Sequence, residues 1–225
     1  MVSDIKEKFL ASNFIARSAS GLLLAPIVLF VTYKGGFAFS ATLLFVSMLM
    51  SVEWMKMVNV TINRLYRNLW YMTGAFYIAI PMISLLYLRS FEDNGFVITC
   101  WLMLSVWGSD IGGYFFGVAL GGPKLIPKIS PKKTWAGLLG CIVGSFIVGV
   151  IFSVFSTFIT YEWLYINILL ALISQVGDIT ESAIKRHFQI KDSSTLIPGH
   201  GGILDRMDGF VTAAPFAVLY LHFML

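Results

Sequence analysis

The chain has 225 residues, 57% of them apolar and 12% charged, against roughly 25% charged in an ordinary soluble domain. A protein of this size has too much surface to clothe with so few charges, so lipid is the solvent for much of it. A soluble enzyme, a secreted disulfide scaffold and a disordered tail are excluded, and seven spans of roughly 20 residues leave no room for a separate soluble domain.

The expected fold class is an all-α integral membrane protein with about seven transmembrane helices. Residues 1–17 are charged and polar, and no signal peptide is expected, because the first apolar run has no small-residue cleavage site followed by a soluble domain. Apolar segments then fall at about 18–33, 36–57, 69–88, 95–120, 134–160, 163–184 and 210–225. Charges and turn formers punctuate them, among them Lys34-Gly35-Gly36, Glu92-Asp93-Asn94-Gly95, Gly121-Gly122-Pro123 and Pro198-Gly199. Cys100 and Cys141 lie inside apolar runs and read as small core residues. Internal repeats and the paired broken helices of inverted-repeat transporters are absent from the pattern.

The charges predict an orientation. Fourteen of the sixteen basic residues precede span one or lie between spans two and three, four and five, or six and seven, which leaves Lys34 and Arg89 on the other side. The positive-inside rule makes the crowded side cytosolic, with the N-terminus inside; a polar cavity open to the cytosol would hydrate Asp110 and Asp178, the acids of spans four and six.

Three spans carry acids, and those of spans four and six stand out. Asp110 sits in Trp107-Gly-Ser-Asp110-Ile-Gly-Gly of span four, and Asp178 and Glu181 sit in Gln175-Val-Gly-Asp178-Ile-Thr-Glu181 of span six. Ionisable residues at such depth are costly unless paired or hydrated, which makes them functional candidates. Asp110 is fifteen residues past Gly95 and Asp178 fifteen past Trp163. At 1.5 Å per residue both carboxylates lie about 22 Å along their helices and share a level. Glu181 and Lys185 have the i,i+4 spacing of a plain helix-surface ion pair. Glu53, near the end of span two, reads as a membrane-interface residue, and Trp135 as a headgroup-level anchor in preference to a base-stacking group.

The densest chemistry is the loop 182–208. It brings together Lys185, Arg186, Lys191 and Arg206, the hydroxyls of Ser193, Ser194 and Thr195, a Pro198-Gly-His200-Gly-Gly202 turn and the pair Asp205 and Asp208. Glycines let backbone N–H groups approach an anion, and Lys and Arg neutralise phosphate charge. Asp205 and Asp208 are spaced one helical turn apart, and hard carboxylate oxygens suit Mg²⁺, which takes one or two of them plus substrate phosphates. Topology alone accounts for the cations but not for the glycines and acids. The composite points to polyphosphate and a metal at a membrane surface.

The run Ser182-x-x-Lys185-Arg186, four residues, Lys191-Asp192, then Pro198-x-His200-Gly-Gly-x-x-Asp205-Arg206-x-Asp208 resembles the signature of the phosphatidate cytidylyltransferase (CDP-diacylglycerol synthase) family at every fixed position. The stretches Ser109-Asp110-Ile-Gly-Gly-Tyr-Phe-Phe-Gly and Lys128-Ile-Ser-Pro-Lys132-Lys133-Thr134-Trp135-Ala-Gly look like two further family blocks, so the resemblance covers roughly residues 105–210. It divides the chain into an N-terminal three-span region, 1–94, and a four-span catalytic region, 95–225, with signature loop 182–208. The resemblance implies transfer of the cytidylyl group of CTP to phosphatidic acid, with Mg²⁺ as cofactor and K⁺ as a second cation in bacterial members. It implies Asp178 and Asp205 as metal ligands, Asp208 and Asp110 as second choices for ligand or water-mediated contacts, and Lys185 beside these acids in the catalytic set. Lys185, Arg186, Lys191, Arg206, Ser182 and His200 would hold substrate phosphates, with Lys132 and Lys133 closing from the neighbouring loop; His200 braces the turn in the alternative reading. The implied setting is a bacterial inner membrane, with the lipid bilayer, CTP and phosphatidic acid as partners, a homodimer and no nucleic acid. The competing readings are the same chemistry on another lipid phosphate or a polyprenol, and an ion-coupled transporter using Asp110 and Asp178.

Overall fold

The structure, a computed structural model, describes residues 21, 23–60, 63–194, 196 and 201–224. It is a bundle of seven α-helices: α1 (Leu23–Lys34), α2 (Gly36–Val58), α3 (Arg64–Arg89), α4 (Gly95–Ala119), α5 (Trp135–Phe155), α6 (Leu164–His187) and α7 (Leu204–Met224). Helices α2 to α6 are long and apolar enough to cross a membrane, α6 together with the 3₁₀ turn that precedes it. Helix α1 is a shorter apolar helix, and the start of the expected first span lies outside the described residues. Large apolar side chains such as Phe45, Phe76, Ile147 and Phe155 remain exposed on the outer faces, as expected of surfaces whose solvent is acyl chain. This is an integral membrane protein.

The helix boundaries differ from the apolar segments for local reasons. Helix α3 starts five residues before the expected 69 because Asn63 caps it, its side chain accepting from Leu65 N (2.9 Å) and Tyr66 N (3.4 Å). Helix α5 is capped by Thr134, whose hydroxyl accepts from Gly137 N (3.0 Å). It ends at Phe155 and not at 160, where Ser156 Oγ accepts from Phe158 N and Ile159 N (3.2 Å each) and turns the chain. Helix α6 runs on through Lys185 and Arg186, and α7 begins at Leu204 and not at 210. Asp205, Arg206 and Asp208 therefore stand on the first turns of a helix, not in a loop. The all-α expectation also needs one correction. Residues Lys124–Ile126 (β1) and Ser130–Thr134 (β2) pair as a small antiparallel hairpin between α4 and α5.

Two features position the site. Helices α4 and α5 meet through glycines spaced four apart, Gly108 and Gly112 against Gly140 and Gly144. A Cβ on Gly112 would strike the carbonyl oxygen of Gly140, and one on Gly144 that of Gly108. Small residues at this spacing let backbones approach without intervening side chains. Asp110 lies between the two α4 glycines in sequence, about 200° around the helix from each, and is turned away from α5 and exposed. Deeper in the bundle, fully buried Asn167 of α6 donates through Nδ2 to Ser105 Oγ (2.8 Å) and Ser145 O (2.9 Å), and accepts from Trp101 Nε1 (3.1 Å) at Oδ1. This satisfied polar network locks α4, α5 and α6 in register. At one end of the bundle Arg89 donates to Thr32 O (2.7 Å) and Tyr33 O (3.2 Å). The end of α2, the hairpin, the end of α6 and the start of α7 gather at the opposite end.

Candidate active site

At that opposite end the acids of α4, α6 and α7 converge. Asp178 of α6 forms an ion pair with Lys133 of β2 (Nζ–Oδ2 2.6 Å) and accepts a long hydrogen bond from Ser182 Oγ (3.4 Å). Lys133 also donates to Gln175 Oε1 (2.9 Å), one helical turn before Asp178. Successive strand residues point to opposite faces, so Lys133 turns toward Asp178 while its neighbour Lys132 is exposed. Asp178, Lys133 and Arg206 lie close enough to Asp110 to act on its charge. Asp208 of α7 lies in the fields of Asp178, Asp110 and Glu181, and its Oδ1 accepts from Gly209 N (2.7 Å). Helix α7 can come this close because a Cβ on Gly177 would collide with Asp208 O. Three carboxylates from three helices, a lysine and an arginine thus gather at this end of the bundle.

A second cluster adjoins it. Lys185 Nζ bridges Glu181 Oε2 (2.8 Å) and Asp205 Oδ1 (2.6 Å), all three side chains being at least nearly nine-tenths buried. The i,i+4 pair therefore exists, but it is buried and not on the helix surface, and Asp205 makes it a trio. Asp205 also accepts from Gly202 N (2.8 Å), Ser193 N (3.1 Å) and Ser193 Oγ (3.1 Å) at Oδ2. Its two oxygens are occupied by donors from both sides of residues 195–200, whereas Asp110 and Asp208 Oδ2 have no hydrogen-bond partner among the described residues.

Arg186 is exposed and braces the backbone, donating to Ile190 O (2.8 Å) and Ile129 O (3.3 Å), which ties α6 to the hairpin. Lys191 and Arg206 are exposed, and Trp135 is 55% exposed at the start of α5. His200 lies outside the described residues.

Sequence reasoning missed two residues. Glu53, expected at a membrane interface, is 4% exposed and accepts four hydrogen bonds from Ser193, Ser194, Ile203 and Leu204. Only its position near the end of α2, level with the signature segment, could have hinted at this. Tyr77 of α3 lies in the fields of Glu181, Asp208, Asp178 and Asp205, and its hydroxyl is buried without a partner among the described residues, as is Glu181 Oε1. A tyrosine in an apolar span gives no sequence signal. An unpartnered hydroxyl contributes no hydrogen bond to folding and carries a desolvation cost. Tyr77→Phe is therefore expected to leave the thermal midpoint of the ligand-free protein unchanged or raised, and a fall of several degrees would refute that.

The donor set bears on a divalent cation. No group of three or more His, Cys, Asp and Glu in metal-holding geometry occurs among the described residues. Mg²⁺ needs no such cage, because it is commonly held by one or two carboxylates and completed by substrate phosphates and water. Hard oxygens on Asp178, Asp208 and Asp110 beside cationic side chains fit that mode of binding.

A membrane bundle that gathers acids, a lysine and an arginine at one end suits chemistry on phosphates at a bilayer. The sequence model of the cytidylyltransferase family matches residues 61–224. The phosphatidate cytidylyltransferase of Brucella suis biovar 1 (strain 1330) is 33% identical over 256 aligned positions, covering 93% of each chain. That of Rickettsia bellii (strain RML369-C) is 36% identical over 214, covering 91% of this chain and 89% of its own. The Bacillus subtilis (strain 168) enzyme of the same name is 39% identical over 154, covering 68% of this chain and 56% of its own. The chain belongs to the cytidylyltransferase family and is a nucleotidyltransferase.

Proposed function

We propose that this protein transfers the cytidylyl group of CTP to phosphatidic acid, giving CDP-diacylglycerol and pyrophosphate. The observation that carries the reading is the gathering of Asp110, Asp178 and Asp208 with Lys133 and Arg206 at one end of the bundle. The relatives named phosphatidate cytidylyltransferase supply the substrates.

The chemistry suits the residues. A phosphate monoester carries close to two negative charges at neutral pH, and it must approach the α-phosphorus of a polyanionic triphosphate. An oxygen of the lipid phosphate attacks that phosphorus in line; the bond from the α-phosphorus to the bridging oxygen breaks, and pyrophosphate leaves with the electron pair. The nucleophile is already an oxyanion, so no general base is needed, and catalysis rests on charge neutralisation and positioning. Lys133 and Arg206 line the nucleotide's approach, while Arg186 and Lys191 offer charge at the rim. Mg²⁺, when bound, would neutralise charge shared among phosphate oxygens. Asp178 would hold it, with Asp205 as second ligand in exchange for one of its present hydrogen bonds, and Asp208 and Asp110 in support. K⁺ would serve as the second cation. The basic end of the bundle would face the cytosol of a bacterial inner membrane.

The test is direct. Purified protein in lipid-doped micelles, given radiolabelled CTP, phosphatidic acid and Mg²⁺, is expected to form CDP-diacylglycerol. A parallel series with an ether-lipid phosphate and a polyprenol is expected to give little product. No product from phosphatidic acid at saturating substrates would reject the assignment, and preference for another acceptor would redirect it.

A further inference from the structure

Among the described residues before 61, where the family match begins, Glu53 is the one that hydrogen-bonds the signature segment. Each of its carboxylate oxygens accepts one hydroxyl and one backbone N–H. Oε1 takes Ser194 Oγ (2.5 Å) and Ile203 N (3.0 Å); Oε2 takes Ser193 Oγ (2.9 Å) and Leu204 N (2.9 Å). No ion pair involves it among the described residues. Two of the donors precede residues 195–202 and two follow them. One buried carboxylate therefore clasps both ends of the segment.

Three features show that the clasp is built. The N–H groups of Ile203 and Leu204 open α7, where donors have no intrahelical partner and the helix dipole favours negative charge. The cap comes from a helix about 150 residues earlier in the chain. Gly202 makes room for it, since a Cβ there would strike Ser193 Oγ and crowd both Glu53 oxygens. Finally, Ser193 Oγ lies 2.9 Å from Glu53 Oε2 and 3.1 Å from Asp205 Oδ2. It has one proton to donate and so serves one of these carboxylates at a time, which links the clasp to the Asp205–Lys185–Glu181 trio.

We infer that Glu53 is a positioning residue: it ties Ser193 and Ser194 to the start of α7 and thereby sets Asp205 for the substrates. This rests on the function proposed above. If Glu53 keeps this tied arrangement populated, weakening it lowers the binding-competent fraction and raises the apparent KM in proportion, while saturating substrate restores the arrangement and preserves kcat.

Glu53→Gln is the informative change because it keeps the volume. Either oxygen that becomes NH₂ then faces a backbone N–H. A serine hydroxyl can turn to accept, but the backbone N–H cannot, so one of the two bonds to the start of α7 is lost. Hydrogen–deuterium exchange on the full-length protein in micelles is expected to show faster exchange across residues 193–204, with α4 and α5 unchanged. Steady-state kinetics are expected to show KM for CTP raised about tenfold with kcat within about twofold. Ser194→Ala, which removes one of four donors, is expected to give the same pattern more weakly. Unchanged exchange at 193–204 would overturn the inference. So would faster exchange across all helices with lower kcat at constant KM, which marks simple destabilisation. The exchange measurement needs no turnover, so a failure of the proposed reaction and a failure of the clasp are told apart.

Discussion

Asp178→Asn is expected to lower cytidylyl transfer by about a hundredfold to a thousandfold, the scale seen when one preorganised electrostatic group is removed from an active site, while the protein still inserts and folds. Asparagine preserves the shape and the Ser182 contact but removes the charge. What it removes structurally is the ion pair with Lys133, whose two side chains are 16% and 27% exposed. A partly exposed pair of this kind contributes at most about 1 kcal/mol to folding. What it removes chemically is larger. Asp178 is the acid that faces Lys133 and acts on both Asp110 and Asp208, so it is the point where substrate phosphates, lysine and a cation would be balanced. The thermal midpoint in micelles should therefore stay within a few degrees as product formation falls. Near-normal turnover would remove Asp178 from the chemistry.

Proximity was legible in the sequence where it depended on spacing along a helix. Counting fifteen residues into two apolar runs put Asp110 and Asp178 at one level, and in the fold Asp178 lies close enough to act on Asp110. The signature segment announced its own cations, glycines and acids. Hydropathy failed where burial compensates charge. It ended span six near 184 and delayed span seven to 210, because Lys185, Asp205 and Asp208 look like loop residues when taken one at a time. In the fold they satisfy one another or face a cleft, so the helices run on through them. Glu53 was illegible for a different reason. Its four donors lie 140 to 151 residues away, and no local pattern distinguishes it from an acid at a headgroup. The hairpin escaped because its five-residue strand is mostly lysine, serine and proline, residues that carry little β signal.

Lys185 tests whether the buried trio is structural, catalytic or both. Its ammonium is the only cation paired with Glu181 and Asp205 among the described residues, at 2.8 and 2.6 Å. Lys185→Met keeps the length of the side chain and leaves two buried carboxylates without a counter-charge, a loss expected to cost about 3–5 kcal/mol. Since folded proteins are stable by only about 5–15 kcal/mol, the variant should give sharply reduced yield and a much lower thermal midpoint. Such a result alone would not separate folding from chemistry. The triple variant Lys185→Met, Glu181→Gln, Asp205→Asn does, because neutral groups of similar volume remove the unpaired charges, and replacing an entire buried ion pair is often neutral for stability. Asparagine at 205 can still accept from Gly202 and Ser193, so the segment stays tied. The triple variant is expected to recover most of the lost stability and none of the cytidylyl transfer. Full stability of Lys185→Met alone would show that the trio is not a buried ion cluster in solution. Activity in the triple variant would show that Lys185 and Asp205 only shape the fold, leaving the transfer to Asp178, Asp208, Lys133 and Arg206 in the adjoining cleft.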